Sequence, residues 1–135
     1  MIGLDTNVLV RYLAQDEAGQ AALATRLFER QLSAVEPGFI SLVVLAELCW
    51  VLKRLYGANP GELVETVEDM LRLPQFHLEQ REVVQAAVVD AKTAKGRRVG
   101  FVDAIIAALA LAEGCTHTLT FDKGAARAAG MKLLA

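Results

Sequence analysis

Met1-Ile2-Gly3-Leu4-Asp5-Thr6-Asn7-Val8-Leu9-Val10 opens the chain with a short apolar run, a single charge at Asp5, and then apolar positions at a new spacing. Val8, Leu9, Tyr12 and Leu13 recur at helical intervals, so the stretch reads as strand, turn and helix. The same unit returns downstream. Gly38-Phe39-Ile40 predicts a second strand, Ser41 is placed to cap a helix over 42–56, and Gly57 stops it. Phe76-His77-Leu78 predicts a third strand, followed by a helix over 80–95 that Gly96 ends. A helix over 102–113 leads to a fourth strand at Thr118-Leu119-Thr120, Asp122 caps a short helix to Ala129, and 131–134 supplies a fifth strand. Two more helices fit the pattern. One spans 17–31 with Ala21, Leu23, Ala24, Leu27 and Phe28 as its apolar stripe; the other starts with Asn59 as cap and Pro60 at its first position. Short apolar strands alternating with longer helices predict an α/β fold: a short five-stranded parallel sheet with helices on both faces. Ligands of such sheets bind beyond the carboxyl ends of the strands.

The composition agrees with one compact domain over 1–135. Of 135 residues, 54% are apolar and 22% charged, and the net charge is −2, which excludes a disordered chain. The longest apolar run, 99–112, contains Asp103 and falls short of the roughly 18 residues that cross a bilayer, so no membrane span is expected. The first residues carry no positive segment ahead of an apolar core, and a cytoplasmic location is the expectation. Cys49 and Cys115 form no metal-ligand spacing and are expected as small buried residues in a reducing compartment. The high apolar fraction points to a face covered by a second copy or another partner.

Three acids stand alone in apolar surroundings. Asp5 is the only charge in 1–10, Glu47 the only one in 39–52, and Asp103 the only one in 99–112. An ionised carboxylate among apolar residues is costly unless paired, hydrogen-bonded or bound to a metal. Asp122, at the end of the fourth strand, joins them. Each has a structural reading by itself: Asp5 as a turn residue, Glu47 as half of an ion pair, Asp103 beside a helix dipole, Asp122 as an N-cap. Together they are expected to converge at one end of the sheet, where four like charges would repel and raise one another's pKa unless divalent cations lay among them. An all-oxygen set without clustered His or Cys suits Mg²⁺ or Mn²⁺, and such a site suits phosphate-ester hydrolysis by an activated water.

The ordered motifs Leu4-Asp5-Thr6-Asn7-Val8-Leu9-Val10, Ser41-Leu42-Val43-Val44-Leu45-Ala46-Glu47-Leu48, Phe101-Val102-Asp103-Ala104-Ile105-Ile106-Ala107 and Thr118-Leu119-Thr120-Phe121-Asp122 span nearly the whole chain. In this the chain resembles the PIN-domain ribonucleases, specifically VapC-type toxins of bacterial and archaeal toxin–antitoxin systems. The resemblance implies a PIN-like fold and an endoribonuclease that cleaves RNA such as transfer or ribosomal RNA. It implies that Asp5, Glu47, Asp103 and Asp122 bind Mg²⁺ or Mn²⁺, with Thr6, Asn7 and Thr120 as supporting residues. It also implies a homodimer and a cognate VapB-type antitoxin that holds the enzyme inactive. One departure falls before Asp103, where many relatives carry a further acid and this chain has Gly100, which bears on whether one ion or two are held.

Contacts to RNA phosphate call for cations near these acids. Arg97 and Arg98, just ahead of Asp103, are the main candidates, with Arg11 one turn from Asn7; Lys92, Lys95, Lys53 and Arg54 are weaker ones. His77 and His117 are expected to be structural. Trp50, three positions from Glu47, is expected in the core rather than as a base-stacking platform. Two other classes compete with the nuclease. A receiver-like signalling domain is a poor fit, because the third strand ends in Leu78-Glu79 and the residues after the first are Asp5-Thr6-Asn7. A PIN-like binding module without activity would keep the fold and lose the chemistry.

Overall fold

The computed structural model describes residues 1–93 and 100–134. In chain order the elements are β1 (Ile2–Gly3), α1 (Thr6–Ala14), α2 (Ala18–Arg26), β2 (Gly38–Ile40), α3 (Leu42–Tyr56), α4 (Pro60–Arg72), β3 (Phe76–Leu78), α5 (Arg81–Thr93), α6 (Phe101–Ala112), β4 (Leu119–Thr120), α7 (Lys123–Ala128) and β5 (Lys132–Leu133). They form two units: Met1–Ala58 with Asp69–Glu79, and Asn59–Glu68 with Gln80–Ala135.

In the first unit β1, β2 and β3 make a parallel sheet in that order, with Gly3 beside Phe39 and Ile40 beside Leu78. Gly38 is required by space. A Cβ there would lie 2.6 Å from Leu4 Cδ1 and 2.9 Å from Leu32 Cδ1, both on buried side chains. Phe28 is the centre of this core, edge-on to Tyr12 at 4.5 Å and to Phe76 at 5.3 Å between ring centroids. Leu9, Ile40, Leu45, Leu48 and Leu78 are also fully buried. Helix α1 packs against both α2 and α3.

In the second unit α5 packs along α6, with Val84, Ala87, Val88, Phe101, Ala104 and Ile105 buried. Small buried residues on both helices allow a close approach of their axes. Strands β4 and β5 form a two-stranded parallel sheet, closed by Lys132 N–H to Thr118 O (2.8 Å) and Leu134 N–H to Thr120 O (2.7 Å). Helix α4 opens as expected: Asn59 Oδ1 accepts from Glu62 N–H at 2.8 Å, and Glu62 Oε1 accepts from Asn59 N–H at 3.0 Å.

Several expectations need correction. The five strands form a three-stranded and a two-stranded sheet, not one sheet of five. Strands β1, β4 and β5 have two residues each, and β1 and β5 are exposed along their length, so each adds few ladder bonds and little buried area. The helix expected over 17–31 ends as α2 at Arg26 and continues as one wide turn, in which Leu32 N–H bonds Leu27 O at 2.9 Å. Leu23, placed in its apolar stripe, is 65% exposed because buried Ala21 and Ala24 turn the inner face elsewhere. Trp50 is 58% exposed on α3, and Cys115 is exposed in the segment after α6. Positions 94–99, including Gly96, lie outside the described residues. Among those described, no helix is long and apolar enough to cross a membrane.

These differences are measurable. Phe28→Ala should cost about 3–5 kcal/mol of stability, whereas Leu23→Ala should stay within about 0.5 kcal/mol; chemical denaturation separates them. Burial pushes the Cys49 thiol from its ordinary 9.0 up to about 11. The folded state therefore retains a proton that the unfolded chain loses, and this group leaves stability unchanged below pH 9 and lowers it between pH 9 and about 11. In native protein at neutral pH, alkylation should modify Cys115 quickly and Cys49 only on unfolding, as mass spectrometry of the labelled chain would show.

Candidate functional site

A helix that begins where a strand ends has first-turn N–H groups without partners. Asp5 answers that need for α1: its Oδ1 accepts from Thr6 N–H at 2.8 Å, with the backbone extended at the cap. The carboxylate is exposed beyond the carboxyl end of β1. Thr6, just inside the helix, is buried, and its Oγ1 has no hydrogen-bond partner among the described residues. Asn7 is exposed and lines a cleft of about 330 Å³ with Val8, Arg11, Gln20, Leu23 and Leu27.

Continuing the register places Asp5 beside Ser41 and Ser41 beside Glu79. Ser41 Oγ caps α3 through Val44 N–H at 3.1 Å, while Glu79 Oε1 accepts from Leu42 N–H at 2.8 Å. Glu79 was not among the candidate acids, although its position immediately after a strand was the available signal. Its bond to the start of α3 gives it a structural task. Glu47 lies farther along α3 and is exposed. The cost expected for a charge in an apolar run does not arise, because a helix turns about 100° per residue and brings position 47 to the outer face.

In the second unit Asp103 is half-buried in the first turn of α6. The helix is capped by Gly100, and a Cβ at that position would lie 3.2 Å from Asp103 Oδ2. The missing side chain therefore leaves room for the Asp103 carboxylate. Asp122 caps α7, with Oδ1 accepting from Gly124 N–H at 2.8 Å and Ala125 N–H at 3.4 Å. Thr120 Oγ1 accepts from Asp122 N–H at 3.0 Å, fixing the backbone that carries this acid.

Among the described residues, no three Asp, Glu, His or Cys side chains gather within reach of one metal ion. The donors do have the right chemistry for a hard cation: exposed carboxylates at Asp5 and Glu47, and a buried, unpartnered hydroxyl oxygen at Thr6 beside Asp5.

Residues 2–131 match the PIN domain family. The chain belongs to the PIN-domain family. PIN domains are generally nucleases, commonly found in toxin–antitoxin systems, and typically use divalent metals. That favours a nuclease over a receiver-like signalling domain. Comparison with curated proteins gave no match.

The cations of this PIN domain are unevenly available. Arg97 and Arg98, with Lys95, lie outside the described residues. Arg11 is engaged within the chain: its Nε donates to Gln20 Oε1 at 2.7 Å, and its guanidinium stands 3.6 Å from Asp16 Oδ1. Tyr56 Oη donates to Asp16 Oδ2 at 2.6 Å, which holds the Asp16 carboxyl below its ordinary range, with Arg11 adding to the effect. Lys92 pairs with Glu68 at 2.8 Å. Lys53 and Arg54 are exposed at the end of α3. His77 is exposed and tilted against Phe39 at 6.0 Å between rings, and His117 contacts Thr116 Oγ1.

Capping and chemistry at Asp5 can be separated. Asp5→Ala removes the acceptor for the first turn and should cost about 1 kcal/mol, while Asp5→Asn keeps an oxygen there and should change stability by only a few tenths. Urea denaturation of the two variants makes the comparison.

Proposed function

We propose that this PIN domain is a Mg²⁺- or Mn²⁺-dependent endoribonuclease and the toxin of a VapC-type toxin–antitoxin pair. The observation that carries this reading is the family match over residues 2–131, supported by the exposed Asp5 carboxylate at the carboxyl end of β1. Asp5, Glu47, Asp103 and Asp122 would hold the ion, Asp5 and Asp103 being the central pair. Such an ion, when bound, supplies the charge that activates a water and offsets negative charge on the leaving oxygen of a phosphodiester.

The chain's own residues prepare this chemistry. Thr6 N–H fixes Asp5 through Oδ1. Gly100 leaves room beside Asp103 Oδ2, and Thr120 anchors the backbone of Asp122. Asn7 presents an amide beside the first acid. Two divalent ions would take the net charge from −2 to +2, which favours a polyanionic substrate. Arg97 and Arg98 are proposed as phosphate contacts. Arg11 is a weaker one, since reaching phosphate would mean giving up Gln20 and Asp16. A homodimer, and inhibition by a VapB-type antitoxin, complete the reading.

The test is cleavage of transfer RNA, ribosomal RNA and unstructured RNA by purified chain free of antitoxin, with Mg²⁺ or Mn²⁺ and with chelator. Wild-type protein should cut only with metal, and Asp5→Asn and Asp103→Asn should each lose on the order of 100-fold or more, beyond the loss usual for residues that merely support a ligand. Equal cutting by the variants would assign the activity to a contaminant and overturn the proposal. A folded chain that binds neither Mn²⁺ nor RNA would point instead to a binding module without chemistry.

A further inference from the structure

Along α3, Val43, Glu47, Trp50 and Arg54 follow one another at intervals of four, three and four residues, which puts them on one face of the helix. All four are exposed, Val43 at 78% and Trp50 at 58%. Trp50 lies about 4.5 Å along the helix axis from Glu47. The Arg54 guanidinium stands over the indole ring, 5.6 Å from its centroid. An exposed cation–π pair of this kind is stabilising by only about 0.5–1 kcal/mol, too little to account for keeping a large indole in water.

The electrostatics of this face are one-sided. Glu47 is the only acid in α3, and Lys53 and Arg54 follow it; among the described residues neither makes an ion pair. A flat aromatic surface with one guanidinium over it and a second cation, Lys53, nearby has the chemistry that binds an unpaired nucleobase and its phosphate. The position narrows the occupant further. If Glu47 takes part in cleavage, its face must stay open to RNA, and Trp50 shares that face one turn away. A permanent protein partner on Trp50 would also cover Glu47.

We propose that Trp50, held by Arg54, is a positioning residue that stacks an unpaired base of the RNA next to the scissile phosphodiester. The inference rests on the nuclease reading and adds to it a residue that selects single-stranded substrate at the Glu47 face. Trp50 touches the base, not the reacting atoms, so its contribution is to substrate binding and register.

Trp50 is the only tryptophan of the chain, so its fluorescence reports this site alone. The first arm titrates the full chain, in chelator so that nothing is cut, with a ten-nucleotide single-stranded RNA and with a duplex of equal length. Saturating single strand should quench the emission by about half or more, and the duplex should leave it nearly unchanged. Followed by the anisotropy of an end-labelled single strand, Trp50→Ala and Arg54→Gln should weaken binding roughly tenfold, and Trp50→Phe, which keeps a flat ring, should lose much less. In the second arm, with metal, Trp50→Ala should raise KM about tenfold with kcat little changed.

The outcomes separate the platform from the nuclease reading beneath it. Wild-type cleavage, with wild-type emission unchanged by the single strand and KM unchanged in Trp50→Ala, overturns the platform alone. No binding and no cleavage by wild-type chain overturns the nuclease reading and the platform with it. If Trp50→Ala instead alters the oligomeric state measured by light scattering while RNA affinity holds, the face belongs to a second copy and the platform is overturned.

Discussion

A helix that starts directly from the end of a strand leaves several backbone N–H groups pointing along its axis with nothing in the chain to receive them. Here that demand recurs at the junctions of β1 with α1, β2 with α3, and β4 with α7, and each is met by a side-chain oxygen: Asp5, Ser41 aided by Glu79, and Asp122. Because the strands of each sheet are parallel, these caps fall at carboxyl ends. Negative charge is thereby placed where the helix dipole favours it and where an α/β fold receives its ligands. A single local requirement thus accounts for the placement of Asp5 and Asp122, and a carboxylate that caps through one oxygen has another to offer.

Exposure shapes what these acids can do. Asp5, Glu47 and Asp122 are in contact with solvent, and Asp103 is half-buried over the space left by Gly100. An exposed carboxylate is open to cations from solution. The buried hydroxyl of Thr6, without a partner among the described residues, differs in kind. A buried polar atom costs stability unless a water or an ion meets it.

The exposed face of α3 extends the same logic from charge to shape. Its inner face carries the buried Leu45, Leu48 and Cys49, and its outer face carries one acid, one indole and one guanidinium in line. A helix uniformly apolar in sequence is in fact two-sided. The high apolar fraction of the chain is partly spent on such outer positions, including Val43, Trp50, Leu55 and Phe121.

Much of the architecture was legible in the residues. Asn59-Pro60 marked the start of α4, Ser41 and Gly57 bounded α3, and short segments marked all five strands, because caps, stops and short-range periodicity act through neighbours in sequence. The four motifs likewise pointed to the PIN family. Tertiary structure decided the rest. That Trp50 and Leu23 face solvent, that Glu47 stands in water despite its apolar neighbours, and that the strands divide into sheets of three and two depend on which helix face meets the core and how much area a two-residue strand can bury. Those quantities belong to packing between distant segments, and local sequence does not contain them.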